Sequence, residues 1–175
     1  TRSVQLDWNP EAVEGYHETL TELTTRTVQP AEYRSWKQFR RKQYRGRKAT
    51  PKQIDDAVSN RSIARWGLEP DDEDTVSVFR GTYLPPNVAS SLVEGAEIDL
   101  GGATSWSLDA SRSTYFLGSS SSFEARQRGE RAIVYVMKNP RRGTFVAPLA
   151  GIYTDELEFV TSGRVRITGT FETTT

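Results

Sequence analysis

The sequence contains no cysteine and a single histidine, His17. Without cysteine the chain has neither disulfides nor a thiolate nucleophile. One histidine excludes a multi-histidine metal centre, so we expect no metal cofactor, and it also removes the commonest general base. Acid–base chemistry must therefore come from carboxylates.

The sequence also has no excess of either charge and no long apolar run. The 23 basic and 23 acidic residues give zero net charge, which argues against bulk nucleic-acid binding and a membrane-surface role. No stretch is apolar enough to span a bilayer, and no signal peptide is recognisable. With 175 residues, the chain can form one domain with a sizeable core. It begins with Thr1 and not Met, so we expect a domain cut from a longer protein.

The first part of the chain, residues 1–74, is predicted to be helical, because apolar residues recur at helical spacing from position 7 to 70. Helix starts are indicated at Asn9, at Pro30 and at Thr50, where Gln53 resembles the second member of a capping box. A last helical stretch is expected over 60–67.

The second part, residues 75–172, is predicted to be a β-rich core. Its strands are expected over 76–79, 97–100, 103–108, 132–137, 144–147, 155–161 and 164–170. Short helices are expected over 86–93 and 109–117, with a polar loop over 119–122. We therefore predict an α+β fold in which N-terminal helices precede two packed, mostly antiparallel β-sheets.

The stretch Arg34–Lys48 holds eight basic residues in fifteen and no acidic one. Trp36, Phe39 and Tyr44 are interleaved with them. Two interpretations stay open: a nucleic-acid surface, since phosphates attract cations and bases stack on aromatic rings, or the basic outer face of an amphipathic helix whose aromatic residues are core. The acidic run Glu69–Asp74 is a candidate to neutralise part of this charge.

Three short motifs carry polar residues in the β-rich part: Arg80-Gly81, Ser105-Trp106-Ser107 and Glu156-Leu157-Glu158. Each alone also fits ordinary solvent-facing residues. On a strand, the spacing of the third motif would place both carboxylates on one face and Leu157 in the core. Paired carboxylates repel each other, which a catalytic cleft can use. Without a nearby histidine, a serine nucleophile is disfavoured.

In this order and spacing, the motifs resemble the arginine–serine–glutamate signature of the mono-ADP-ribosyltransferases, especially the bacterial toxin and effector branch with an E-x-E motif. The resemblance covers Val76–Thr170, and its most specific part is RGTFVAPLAGIYTDELEFVTSG, residues 142–163. It implies an NAD cleft between the two sheets. Trp106, where a small residue is usual, and Asp155, a third negative charge, depart from the family pattern.

The resemblance also assigns roles to individual residues. Glu158 would stabilise the positive charge that develops at the anomeric carbon of NAD and bond a ribose hydroxyl. Arg80 would hold the diphosphate, and the Gly81 backbone would meet the nicotinamide amide. Ser105 would orient Glu158 and the nicotinamide ribose. Glu156 would bind and deprotonate the nucleophile.

Further contacts are expected around this set. Ser107 would contribute to NAD binding, and Tyr153 would contact the target. Phe116 or Tyr115 would stack on the nicotinamide, although both residues equally fit the core side of an amphipathic helix. In the family, a glutamate two residues before the catalytic one goes with arginine acceptors, so Glu156 predicts arginine.

The expected function is therefore that of a glycosyltransferase, an NAD-dependent protein-arginine ADP-ribosyltransferase domain of a toxin or effector. It would be secreted or delivered, act in the cytoplasm of a target cell on a protein with an exposed arginine, and require an immunity protein in the producing cell. Three alternatives stay open: an NAD glycohydrolase, a transferase acting on nucleic acid, and a non-catalytic binding module with a basic helical face.

Overall fold

The computed structural model describes residues 2–8, 26–45, 48–55, 61–72, 74–118, 120–149 and 155–172. The strands of this part are β1 (Arg2–Trp8), β2 (Ser77–Leu84), β3 (Glu97–Asp99), β4 (Thr104–Ser107), β5 (Arg131–Lys138), β6 (Thr144–Phe145), β7 (Glu158–Thr161) and β8 (Arg164–Glu172). The α-helices are α1 (Pro30–Tyr44), α2 (Pro51–Asp55), α3 (Arg61–Arg65), α4 (Pro86–Ser91), α5 (Ala110–Gly118) and α6 (Ser120–Gln127). The fold is thus α+β.

The strands form one sheet in the order β3-β8-β1-β5-β2-β4-β7-β6, in which β1 and β5 pair in parallel and the other neighbours antiparallel. The prediction of two separate sheets is therefore wrong. One register pair, Phe79 with Ser107, is described between β2 and β4, and it joins a five-strand part to a three-strand part. The sheet is therefore narrow at this junction between β2 and β4.

The N-terminal part is not wholly helical, because β1 lies inside the sheet between β5 and β8. Val4 and Leu6 are buried at a spacing of two, which is the strand period. The strand pattern of these few residues is too short to outweigh the helical pattern that follows it in the sequence. The predicted helix beginning at Asn9 lies outside the described residues.

Helix α1 begins at Pro30, as predicted, and its aromatic face packs on the sheet. The ring of Trp36 lies 5.5 Å from that of Phe145 and 5.3 Å from that of Phe159. Tyr33 is also buried. Of the two interpretations of the basic stretch, the structure supports the one with core aromatic residues: Trp36 and Tyr44 are buried and Phe39 is half-buried. The capping box before α2 also forms: the backbone N–H of Thr50 donates to Oε1 of Gln53 at 2.9 Å, and the backbone N–H of Gln53 donates to Oγ1 of Thr50 at 3.2 Å.

One local prediction in the second half is wrong. A polar loop is predicted over 119–122, yet α6 starts at Ser120, and residue 119 lies outside the described residues. Ser122 and Ala125 are buried along this helix, so packing overrides propensity. In the described part of the chain, no helix is long and apolar enough to cross a membrane.

Candidate active site

Three adjacent strands bring the three polar motifs together. In the sheet β2, β4 and β7 are neighbours. Ser107 of β4 lies opposite Phe79 of β2 on one side and opposite Glu158 of β7 on the other. Arg80 follows Phe79, and Ser105 precedes Ser107 by two residues. The polar residues of all three motifs therefore meet at the narrow junction of the sheet.

Arg80, Ser105 and Glu158 form a continuous chain of hydrogen bonds. The Ser105 hydroxyl donates to Oε1 of Glu158, and Nη1 of Arg80 donates to the carbonyl oxygen of Ser105 at 2.8 Å. Ser105 is exposed and the other two residues are half-buried, so a ligand can reach all three. The contact between Ser105 and Glu158 is the one that the resemblance implies.

Arg80 lies in the middle of β2 and not at its end as predicted. The strand continues to Leu84 because β5 pairs with it along its whole length. Tyr135 is the residue of β5 opposite Arg80. Burial raises the pKa of the Tyr135 hydroxyl, and the nearby Arg80 guanidinium only partly offsets that rise. Tyr135 is therefore neutral at neutral pH and does not offset the positive charge of Arg80.

Gly81 has a packing reason to be glycine. A Cβ atom at this position would lie 2.1 Å from the carbonyl oxygen of Ser113 and 3.0 Å from Cγ of Leu117, both on α5. The close approach thus lets α5 pack directly on β2. The contact of the Gly81 backbone with a nicotinamide amide stays a prediction.

The substitution Gly81→Ala is expected to destabilise the fold by about 1–3 kcal/mol, the usual cost of forcing an extra methyl into a packed core. Urea denaturation of the two proteins measures this difference. Gly118→Ala is the matched control, since a Cβ at Gly118 meets nothing within 4 Å. If Gly81→Ala were as stable as the control, the described packing of α5 on β2 would be incorrect.

The E-x-E motif does not lie on a regular strand. Asp155 and Glu156 form a 3-10 turn, and β7 begins only at Glu158. Leu157, which lies between Glu156 and Glu158, has a φ of +50°, in the left-handed region that most residues avoid. The predicted geometry, with both carboxylates two apart on one strand face, is therefore wrong. The burial of Leu157 in the core is confirmed.

Two contacts hold the 3-10 turn in place. The Ser107 hydroxyl donates to the carbonyl oxygen of Glu156 at 2.6 Å, and the Arg112 guanidinium forms an ion pair with the Asp155 carboxylate. The extra negative charge of Asp155 is thus compensated. Ser107 is buried and bonded within the protein, so it has a structural task, and its contact with NAD stays a prediction.

Helix α1 supports the segment that links β4 to α5. The Tyr44 hydroxyl donates to Oδ2 of Asp109 at 2.5 Å. Asp109 is buried, and its Oδ1 accepts the backbone N–H of Ser111 at 2.8 Å. Asp109 therefore caps α5. Sequence reasoning missed Tyr44 and Arg112 as supporting residues, because no spacing rule connects them to segments so far along the chain.

The predicted aromatic contacts have different outcomes. Tyr115 lies on α5 and is 66 % exposed, so it does not belong to the core. Its stacking on nicotinamide stays a prediction. Tyr153 and the side chain of Phe116 lie outside the described residues. Trp106 is buried and packs beside Tyr135, with ring centroids 6.4 Å apart, so the bulky residue between the two serines serves the core.

A cleft of about 450 Å³ opens next to the junction. Arg80 of β2, Thr104 of β4 and Tyr135 of β5 line it, together with other residues of β2 and residues of α4, β3 and the segments beside them, whereas Ser105 and Glu158 do not line it. Its volume lies in the range of small-molecule sites, about 300–1,000 Å³. Within the described ranges, no group of three or more histidine, aspartate or glutamate side chains is placed to hold a metal ion.

No family model, curated protein or solved structure matches this chain. The candidate site therefore rests on its own geometry and on the motifs in the sequence.

Proposed function

We propose that the chain is an NAD-dependent mono-ADP-ribosyltransferase that transfers ADP-ribose to arginine side chains of a target protein and releases nicotinamide. The observation that supports this function best is the hydrogen-bonded chain of Arg80, Ser105 and Glu158. These residues come from three strands and are separated by 25 and 53 positions. They are the residues that the arginine–serine–glutamate signature selects.

Glu158 is the residue that the chemistry depends on. NAD, when bound, supplies a glycosidic bond to a positively charged nicotinamide ring, which takes the electron pair of this bond and leaves as neutral nicotinamide. The Glu158 carboxylate would lie beside the anomeric carbon and stabilise the positive charge that develops there as this bond breaks. The Ser105 hydroxyl fixes one carboxylate oxygen, which leaves the other oxygen for a ribose hydroxyl.

Arg80 suits the diphosphate of NAD. A guanidinium carries five N–H donors in a planar fork, and the bond to the Ser105 carbonyl uses Nη1. Arg80 also lines the cleft, whose volume suits a small ligand. The diphosphate would therefore be held where Arg80 lines the cleft, and Arg80 is linked to Glu158 through Ser105.

Glu156 would receive the acceptor. A charged guanidinium is a poor nucleophile, and a carboxylate can bind it through two hydrogen bonds and take its proton. As a nitrogen of the target arginine forms its bond to the anomeric carbon, its proton would pass to Glu156. The turn that carries Glu156 is fixed by Ser107 and Arg112, so the base would be preorganised.

The substitution Arg112→Gln is expected to lower transfer to arginine about 10-fold while NAD hydrolysis changes little, since a misplaced catalytic group can cost up to ~10²-fold. The substitution removes the ion pair between Arg112 and Asp155 and thus loosens the turn that carries Glu156. The ratio of arginine product to free ADP-ribose measures the effect. Arg112→Lys, which keeps the charge, should recover part of the transfer. An equal fall of both products would assign Arg112 to another task.

The proposal is tested by incubating the purified chain with adenylate-labelled NAD and a bacterial or eukaryotic lysate. Label is followed separately into protein, nucleic acid and free ADP-ribose. Label on protein, removed by hydroxylamine treatment that cleaves arginine conjugates, is the expected result. Label on nucleic acid would move the acceptor, and free ADP-ribose alone would identify a glycohydrolase. Intact NAD in every lysate would contradict the proposal.

A further inference from the structure

The turn that carries Glu156 is held by the corner between β4 and α5, residues 107–109. The Ser107 hydroxyl donates to the carbonyl oxygen of Glu156 at 2.6 Å, and the backbone N–H of Leu108 donates to the carbonyl oxygen of Leu157 at 3.1 Å. Leu157 is fully buried and has a left-handed backbone, a conformation that persists only when the surrounding structure enforces it. The corner therefore decides where the backbone of Glu156 lies.

Within the corner, Asp109 orients the Ser107 hydroxyl. The backbone N–H of Asp109 donates to Oγ of Ser107 at 2.9 Å. A serine hydroxyl has one hydrogen to donate and two lone pairs that accept, so this bond occupies a lone pair and leaves the hydrogen for the carbonyl oxygen of Glu156. Both residues are buried, where a hydrogen bond is stronger than in water. The contact with Glu156 thus depends on the position of Asp109.

The side chain of Asp109 is fixed from two sides. Its Oδ1 accepts hydrogen bonds from the backbone N–H and the hydroxyl of Ser111, at 2.8 and 2.6 Å, and its Oδ2 accepts the hydroxyl of Tyr44 on α1 at 2.5 Å. Because Asp109 caps α5, it also places Arg112, whose ion pair holds the carboxylate of Asp155. A second route thus leads from Asp109 to the turn, besides the one through the corner.

Helix α1 reaches the corner with two buried side chains. In addition to Tyr44, Arg40 donates from Nη1 to the carbonyl oxygen of Leu108 at 3.4 Å. Residues four positions apart lie on the same face of a helix, so both side chains approach the corner from one face of α1. The helix is itself anchored in the core by Tyr33 and Trp36. It is therefore a rigid support for the corner.

We propose that Tyr44 and Asp109 are positioning residues for the acceptor. Their buried contact holds the corner, and the corner holds Glu156 in the place where a target guanidinium is bound and deprotonated. The inference rests on the proposed function and adds that α1, a helix remote from NAD in the sequence motifs, controls the use of the acceptor.

The hydrogen bonds among the residues on the NAD side run through another part of β4. Arg80 and Glu158 are linked through Ser105, which precedes the corner. Loss of the Tyr44 hydroxyl should therefore impair transfer to the acceptor more than the cleavage of NAD.

The test compares Tyr44→Phe with Tyr33→Phe as its matched control. Each substitution removes one buried hydroxyl from α1, but the Tyr33 hydroxyl donates to the carbonyl oxygen of Pro140, at 2.8 Å, and not to the corner. For each protein, kcat/KM for a small alkylguanidine and the rate of NAD hydrolysis without guanidine are measured by mass spectrometry. Thermal unfolding checks that the variants are folded. Tyr44→Phe is also combined with Glu156→Gln.

Tyr44→Phe is expected to lower kcat/KM for the guanidine about 10-fold, since a small misplacement of a catalytic group can cost up to ~10²-fold, while NAD hydrolysis changes little. Tyr33→Phe should leave both rates as they are in the wild type. In the Glu156→Gln background, Tyr44→Phe should cause no further loss of transfer, because the effects of residues that act through one another do not add.

Three results in an active wild-type chain would overturn the inference: no selective loss of transfer in Tyr44→Phe, an equal loss in Tyr33→Phe, or a further ~10-fold loss when Tyr44→Phe is added to Glu156→Gln. A wild-type chain that leaves NAD intact, or forms only free ADP-ribose, would instead contradict the proposed function and the inference with it.

Discussion

Replacing Glu158 by glutamine is expected to reduce nicotinamide release from NAD by about 10²–10³-fold, the usual effect of removing one preorganised electrostatic group. Glutamine keeps the shape of the side chain and can still accept the hydrogen bond from Ser105. It lacks the negative charge that would stabilise the anomeric carbon as positive charge develops. Chromatographic measurement of nicotinamide under saturating NAD gives the ratio of the two rates.

Glu124→Gln, on the exposed face of α6, is the matched control for the charge change, and its activity should equal that of the wild type. Thermal unfolding should show Glu158→Gln to be folded. Full activity in a folded Glu158→Gln protein would remove Glu158 from the reaction, and with it the main support for the proposed function.

Replacing Glu156 by glutamine is expected to separate the two possible fates of NAD. Transfer to a small alkylguanidine should fall at least ~10²-fold, a typical contribution of a general base. Hydrolysis to free ADP-ribose should change little. Its acceptor is water, so no carboxylate is needed to bind and deprotonate a guanidinium. Both products are quantified in the same reaction by mass spectrometry.

Glu156→Asp tests whether the position of the carboxylate matters as well as its charge. The 3-10 turn is held by Ser107 at the backbone of Glu156 and by Arg112 at the side chain of Asp155. Because the backbone is fixed, the carboxylate of a shorter aspartate would lie in a different place, and it should restore only part of the transfer. If Glu156→Gln lowered hydrolysis as much as transfer, Glu156 would act on NAD itself and not on the acceptor.

Much of the architecture follows from local patterns. Pro30 predicts the start of α1, and the helical spacing of apolar residues predicts the helix. Its buried aromatic face is one of the two interpretations that the sequence leaves open. The apolar run over 132–137 predicts the strand β5. The coarse α+β class follows from the order of these elements.

What the sequence could not supply depends on contacts between distant segments. The left-handed backbone of Leu157 breaks the strand that an E-x-E spacing suggests. The sequence has no glycine there that would predict the bend. β2 runs past Arg80 because β5 is long enough to pair with it, and α5 requires glycine at position 81. The ion pair of Arg112 with Asp155 spans 43 positions. Each of these features is decided by a neighbour in space.

The most direct test of the account is mass spectrometry of the products formed by the purified chain from NAD and a small alkylguanidine. The account predicts nicotinamide together with ADP-ribosylguanidine, and the loss of both with Glu158→Gln. The account would be contradicted if NAD stayed intact in the presence of the folded wild-type chain, with both NAD and the guanidine at saturating concentrations.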